Sequence, residues 1–353
     1  MKLNRKFTLL MAIMMVVSIL IAGCGSQPTP ATNEPSPSGS ASAEPSAPPK
    51  KDKYVIGFSH TGPENEWTNE MARSMNSTWE NTDKFEYIYS DAQNKQENQI
   101  KAIRTFIQQG VDAIILRPMV TTGWDAVMEE VKESGIPLIT INRKVELANG
   151  DINDYILTAI NPDNIHAGEL LAQGMCDIFK DVEGPVNVAI LEGKVGAAST
   201  IERAKGIDNI LSKQDKLVVK YAQATDFQRA KSKEVMESFL KSAKAEGVTI
   251  HAVLGHADDS CIGAIQAIEE AGLKPGVDIK LAAIDGVKGA FEAMAAGKYE
   301  FTVENPNQFG PATLDFFTDY FYNGNTNPDK WIKMDNTVYT KDQAAELLPT
   351  RTW

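Results

Sequence analysis

Tyr54-Val-Ile-Gly-Phe-Ser-His-Thr-Gly-Pro-Glu-Asn-Glu-Trp67 opens with an apolar run and breaks at a polar turn with Gly62 and Pro63. It then passes into residues whose apolar positions recur with helical spacing as far as Trp79. The run predicts a strand from Tyr54 to Phe58 and the spacing a helix from Glu64 to Trp79. The pattern repeats along the chain. Further strands are expected at Phe85 to Tyr89, Ala113 to Leu116, Pro137 to Ile141, Tyr155 to Ala159, Val186 to Leu191, Lys216 to Tyr221, Ala252 to Leu254, Lys280 to Ile284 and Phe301 to Val303. Helical spacing fills most of the intervals, so the fold class is α/β, with parallel sheets covered on both faces. About 300 ordered residues exceed what one core organises, which implies two domains. The strand ending Leu191-Glu192-Gly193 leads through a loop into a helix as Tyr54 to Phe58 does, and the chain reads as a loose duplication of one Rossmann-like lobe.

Ligands of open α/β sheets bind at the carboxyl ends of the strands, and a cleft between two such lobes is the expected site. Glu64 and Trp67 follow the first strand, Asn142 and Arg143 end the fourth, and Asp285 ends the strand before Gly286. Arg203 and Phe227 sit near the starts of helices in the second half. An aromatic face stacks on the C–H face of a sugar, a guanidinium supplies a fork of donors, and a carboxylate accepts from two hydroxyls at once. Each residue alone is explained as well by capping, packing or a surface ion pair. Their convergence on one cleft favours a polyol ligand.

The start of the chain bears on location. Lys2, Arg5 and Lys6 precede an apolar run from Phe7 to Ala22, which ends Ile21-Ala22-Gly23-Cys24. This predicts a lipoprotein export signal over residues 1–23, lipidation of Cys24, and a membrane anchor on the extracytoplasmic face. Residues 24–51, rich in Pro, Ser and Ala, predict a disordered tether. The net charge of -12 becomes -15 once residues 1–23, with three basic and no acidic groups, are removed. No cluster of Lys and Arg suits a polyanion, so no nucleic-acid partner is expected. Cys176 and Cys261 lie in helical patterns and read as buried free thiols. The acidic pair in Gly255-His-Ala-Asp-Asp259 is expected to cap a helix starting near Ser260.

Competing classes are weaker. Glu64, Glu66 and Asp285 could be read as the paired carboxylates of a glycosidase. No Gly-x-Ser-x-Gly elbow is present, and His60, His166, His251 and His256 lack metal-protease spacing, so neither catalysis nor a metal or cofactor is expected. A transcriptional regulator with similar lobes is disfavoured by the export signal and by the absence of a helix-turn-helix before the first strand.

The chain resembles the periplasmic sugar-binding proteins of pentose and hexose import systems, the group containing the ribose-binding protein, and within it the galactofuranose-binding branch. The resemblance covers nearly all of residues 53–345. It is carried by Ile56-Gly-Phe-Ser59, Glu64 and Trp67, Gln93-Asn-Lys-Gln-Glu-Asn-Gln-Ile-Lys-Ala102, Gln109-Gly-Val-Asp-Ala113, Thr122-Gly-Trp124, Val195-Gly-Ala197, Lys233-Glu-Val-Met-Glu-Ser-Phe239, Gly263-Ala-Ile-Gln-Ala-Ile268 and Ala271-Gly-Leu-Lys-Pro-Gly276. It implies the type I fold, two Rossmann-like lobes joined by three hinge crossovers near Ala159 to Asn161, Glu304 to Pro306 and Asp335 to Val338. One lobe is expected over residues 52–160 plus 306–336, the other over 161–305 plus 337–353. The implied function is capture of one sugar by lobe closure and delivery to an ABC permease by a monomeric binding protein; a sensing role at a membrane receptor or histidine kinase is the alternative. Its ligand positions fall on Glu64, Trp67, Arg143, Arg203, Phe227, Asp285 and Asn305. Three positions depart from the galactofuranose-binding pattern: Asn142 stands where Asp precedes the Arg, Ala257 where an Asn follows His256, and Thr68 where an Arg follows the Trp. Such losses can change which sugar fits.

Overall fold

The computed structural model describes residues 49–353; the export signal, Cys24 and most of the tether lie outside the described residues. The first half runs β1 (Tyr54–His60), α1 (Glu66–Glu80), β2 (Phe85–Asp91), α2 (Gln96–Gln109), β3 (Ala113–Leu116), α3 (Asp125–Ser134), β4 (Leu138–Ile141) and β5 (Thr158–Pro162). Next come α4 (Asn164–Ile178), β6 (Val186–Glu192), α5 (Ala198–Leu211), β7 (Leu217–Ala224), α6 (Arg229–Glu246), β8 (Ala252–Gly255), α7 (Asp258–Glu270), β9 (Lys280–Asp285), α8 (Lys288–Ala295) and β10 (Phe301–Glu304). The chain closes with α9 (Phe309–Phe321), β11 (Trp331–Met334), β12 (Thr337–Thr340) and α10 (Lys341–Leu347).

Two six-stranded sheets result, ordered β11-β5-β4-β3-β1-β2 and β12-β10-β9-β8-β6-β7. Their central strands are continuous buried apolar runs such as Ala113-Ile-Ile-Leu116, the composition of a sheet covered on both faces. The chain passes between the sheets three times: after β5, after β10, and between β11 and β12. The sheets are parallel as expected except at one edge, where β12, two residues after β11 of the other sheet, pairs antiparallel with β10.

β11, β12 and α10 carry no sequence signal of the kind used above. Both strands are half exposed, with Trp331 on the surface, and therefore lack an apolar run. The fifth strand begins at Thr158 and not at Tyr155. The side chain of Asp151 accepts from Asn153 N, and the backbone N–H groups of Tyr155 and Ile156 bond back to Ile152 O, which holds this stretch in a 3₁₀ turn.

Helix starts are set by local chemistry. In α1, Asn65 and Thr68 form a capping box, which occupies the Thr68 hydroxyl with the Glu64 and Asn65 N–H groups. Helices α4 and α5 touch backbone to backbone. A Cβ on Gly168 would lie 2.3 Å from Arg203 O, and one on Gly206 would lie 2.0 Å from Ile165 O. Glycine is required at both places, and the close approach anchors the part of α5 that carries Arg203. Among the described residues, Cys176 and Cys261 are free; Cys261 is buried as expected, while Cys176 is only half buried on α4.

Candidate functional site

The eight residues singled out from the sequence, Glu64, Trp67, Asn142, Arg143, Arg203, Phe227, Asp285 and Asn305, all line one small cavity between the carboxyl ends of the two sheets. Its volume is about 20 Å³, so the two walls lie almost against each other. Asn65, Arg117 and Ser199 complete its wall. Arg117 was not anticipated, although its position one residue beyond β3 is the same strand-end signal that picked out Asn142 and Asp285.

Glu64 is the hub of the wall formed by the first sheet. Its carboxylate accepts from Arg117 Nη1 at 2.9 Å and from Arg143 Nη2 at 2.9 Å and Nη1 at 3.3 Å. Lys194, from the loop after β6 of the other sheet, reaches it at 3.2 Å. Burial opposes ionisation of Glu64, but Arg143, Arg117 and Lys194 together overcome it and hold the carboxyl well below the usual carboxylate range. Burial and the neighbouring Arg143 bring Arg117 down to about 9, still a cation at neutral pH. Arg117 also donates to Thr61 Oγ1 and, through Nε, to Asn142 Oδ1 at 3.1 Å.

The opposite wall centres on Asp285, which accepts from Arg203 Nη2 at 3.3 Å. Burial pushes Asp285 well above the ordinary carboxyl value; Arg203 opposes the shift, and Asp258 and Asp259 reinforce it. Arg203 also donates to the carbonyl of His256 and to Asn164 Oδ1, so both faces of its guanidinium are fixed. Burial lowers His256 and His60 to about 3, and both are neutral imidazoles behind the walls.

Aromatic groups close the remaining sides. Trp67 does two things the sequence posed as alternatives: it belongs to the hydrophobic core and it lines the cavity. Its indole N–H donates to Asn305 O at 2.6 Å, tying α1 to the second crossover. The Phe227 ring packs its Cε1–Cζ edge against Gly193, where a Cβ would come within 2.1 Å of it, and the Arg143 guanidinium sits 5.8 Å from its centroid. Asn142, Phe227 and Asp285 have φ of 63°, 62° and 141°, values that side-chain-bearing residues adopt only when surroundings impose them. Among the described residues other than glycine, three more, Gln93, Asn94 and Asp226, have positive φ and lie outside the cavity lining. Arg143 Nε and Asn305 Oδ1 are buried without a protein partner.

Two acidic residues behave differently from the capping role expected of them. Asp258 points inward and accepts from Gly286 N at 2.7 Å, Val287 N at 3.1 Å, Tyr299 OH at 2.7 Å and Thr302 Oγ1 at 2.9 Å, holding the turn that presents Asp285. Asp259 crosses the cleft and accepts from Glu66 N at 3.0 Å. Helix α7 starts at Asp258, before the anticipated Ser260. Of the three positions that depart from the galactofuranose-binding pattern, only Asn142 lines the cavity; Thr68 is spent in the capping box and Ala257 is buried at the start of α7.

Comparisons with known proteins agree with this geometry. A family model described as a periplasmic binding protein domain matches residues 56–321. The galactofuranose-binding protein YtfQ of Escherichia coli K12 is 41% identical over 298 residues, covering 83% of this chain and 90% of that protein. Among solved structures, the periplasmic binding component of the arabinose ABC transporter from Shewanella sp. ANA-3, bound to α- and β-L-arabinofuranose, superposes with a TM-score of 0.79 at 38% identity, covering 84% of this chain and 95% of that one. A Mycobacterium smegmatis structure in complex with β-D-fucofuranose gives 0.78 at 36% identity, with coverage of 84% and 94%. With three quarters of its length matched by the family model and both lobes matched in three dimensions, this chain belongs to the periplasmic binding protein family.

Proposed function

We propose that this protein is a lipid-anchored extracytoplasmic receptor that captures one monosaccharide in furanose form and hands it to an ABC permease. The observation that carries the reading is the convergence of residues from both lobes on one small cavity, built from donors, carboxylates and aromatic faces. The furanose form is supported by the sugars in the two solved relatives and by the name of the curated one. Delivery to a permease is supported by the transporter named with the arabinofuranose complex. Anchoring is supported by Ile21-Ala22-Gly23-Cys24; a Cys24→Ser protein that stayed in the membrane fraction would remove it.

No bond is made or broken in this mechanism. A sugar that bridges Glu64, Asn142 and Arg143 on one lobe and Arg203, Phe227 and Asp285 on the other makes more contacts in the closed state than in the open one, and the population shifts toward closure. The three crossovers act as hinges, and the protein works as a monomer.

A thermal-shift screen against aldoses, ketoses and furanose-containing sugars tests the reading. A ligand at a hundred times its Kd stabilises by about 2.7 kcal/mol, a shift of several degrees. Arg143→Ala and Asp285→Ala are each expected to weaken that ligand by at least roughly tenfold, or ~1.4 kcal/mol. Undiminished affinity in both variants would move the site elsewhere.

A further inference from the structure

The charges around the cavity are unequal between its two walls. On the first, one carboxylate, Glu64, faces three cations: Arg117, Arg143 and Lys194. On the second, Arg203 faces Asp285, and Asp258 lies behind it on the Gly286 N–H. The internal duplication shows where the difference arises. β4 and β9 hold the same place in their sheets. The residue at the end of each has a positive φ and accepts a hydrogen bond from an arginine, Asn142 from Arg117 and Asp285 from Arg203. In the second lobe that acceptor carries a compensating charge, and in the first it is a neutral amide. A chain of net charge -12 thus sets two cations, Arg117 and Arg143, against one carboxylate on the first wall of its cavity, and Lys194 reaches the same carboxylate from the second lobe.

Closing two lobes over this excess is costly unless something entering with the ligand offsets it, because an uncompensated charge loses its hydration on burial. Lys194 sharpens the effect, since it comes from the second lobe and is added to the cluster by closure itself. Arg143 Nε, buried and without a protein partner, offers a charged donor on the same wall.

We propose that the preferred ligand is a monosaccharide carrying a carboxylate, a uronate, with its acid group against Arg143, Arg117 and Lys194 and its hydroxyls against Asp285, Arg203 and Asn305. With the Arg143 Nη groups engaged by Glu64, a ligand carboxylate can accept from the Arg143 Nε–H that has no protein partner, whereas a neutral sugar leaves the excess uncompensated. The inference rests on the sugar-binding reading and deepens it.

Calorimetric titration of the purified protein with D-galacturonate and D-glucuronate, beside D-galactose and L-arabinose, decides it. At least one acid is expected to bind roughly tenfold or more tightly than either neutral sugar, with affinity falling as salt rises. Asn142→Asp, which restores the carboxylate present in the other lobe, is expected to weaken the acid by at least roughly tenfold and to spare or improve the neutral sugar. Lys194→Met, altering a side chain still partly in solvent, should weaken the acid selectively even if Asn142→Asp fails to fold. A neutral sugar that outbinds every acid overturns the inference and leaves the sugar-binding reading standing. Acid binding indifferent to both substitutions overturns it too, and the absence of binding by any sugar brings down both.

Discussion

Asparagine in place of Asp259 separates the energy of lobe closure from the energy of ligand contact. Asp259 accepts from Glu66 N at 3.0 Å, a carboxylate of the second lobe set on the first turn of α1 in the first. Arg229, held by Asp259, reaches Glu66 Oε2 at 2.5 Å. None of these three side chains lines the inner cavity. The Arg229 to Asp259 pair lies within one lobe and persists when the cleft opens, so only the other two contacts favour closure. They differ in strength. The Arg229 and Glu66 side chains are 47% and 36% exposed, and water and salt limit such a pair to about 0.5 kcal/mol. Asp259 is 3% exposed, and its charged bond to a backbone N–H at the positive end of a helix contributes roughly 1.5 kcal/mol or more. Together they amount to about 2 kcal/mol, or roughly thirtyfold in an equilibrium constant. Contacts made only in the closed form enter the apparent affinity through the closed population. Asp259→Asn, which keeps the shape and removes the charge, is therefore expected to raise Kd by roughly ten- to thirtyfold, and Glu66→Gln by about threefold or less. Calorimetry with the sugar identified by screening, at low and high salt, reads both, and the smaller effect should vanish at high salt. Wild-type affinity in Asp259→Asn, or a larger loss in Glu66→Gln, would refute the reasoning.

Two further outcomes follow from buried polar groups. Asp258→Ala orphans the N–H groups of Gly286 and Val287 and the hydroxyls of Tyr299 and Thr302, while relieving the burial that brings the Asp258 carboxyl up to about 6. A net loss of roughly 3 kcal/mol is expected, seen as a fall of about 6–12 °C in the melting temperature of the ligand-free protein, and an unchanged melting temperature would contradict it. His256, lowered to about 3 by burial and Arg203, binds its proton later in the folded protein than in the unfolded chain. Its contribution is complete above the unfolded value near 6.5 and is lost as pH falls toward 3. The stability deficit of His256→Gln relative to wild type should accordingly shrink by roughly 2 kcal/mol between pH 7 and pH 5 in urea titrations. A deficit independent of pH would mean that His256 is not a buried neutral group.

The strand ends were legible because the chemistry of an α/β sheet is written locally. An apolar run stops, a polar residue follows, and geometry sends that residue to the carboxyl edge, which is how Asn142, Arg143 and Asp285 declare themselves. Arg117 obeys the same rule and was overlooked in favour of residues with family counterparts. Lys194 gives no such sign: its partner Glu64 stands on the other lobe, and nothing near residue 194 encodes the pairing. Asp258 and Asp259 look like a helix start and are one, yet their side chains are committed to Gly286 and to Glu66. Capping is a local expectation, and a long-range partner outcompetes it. β11 and β12 were missed because half-exposed edge strands have no apolar run to read.

Periodicity and strand-end chemistry, both local properties of the sequence, point by themselves to the α/β class, the duplicated lobe and seven residues of the cavity wall, and the family resemblance adds Asn305. Only the tertiary structure decided how those residues are paired, which wall carries the excess of positive charge, and which side chains hold the mouth of the cleft closed. Those contacts join residues separated by as many as 238 positions, and their energies depend on burial, which no local stretch of sequence specifies.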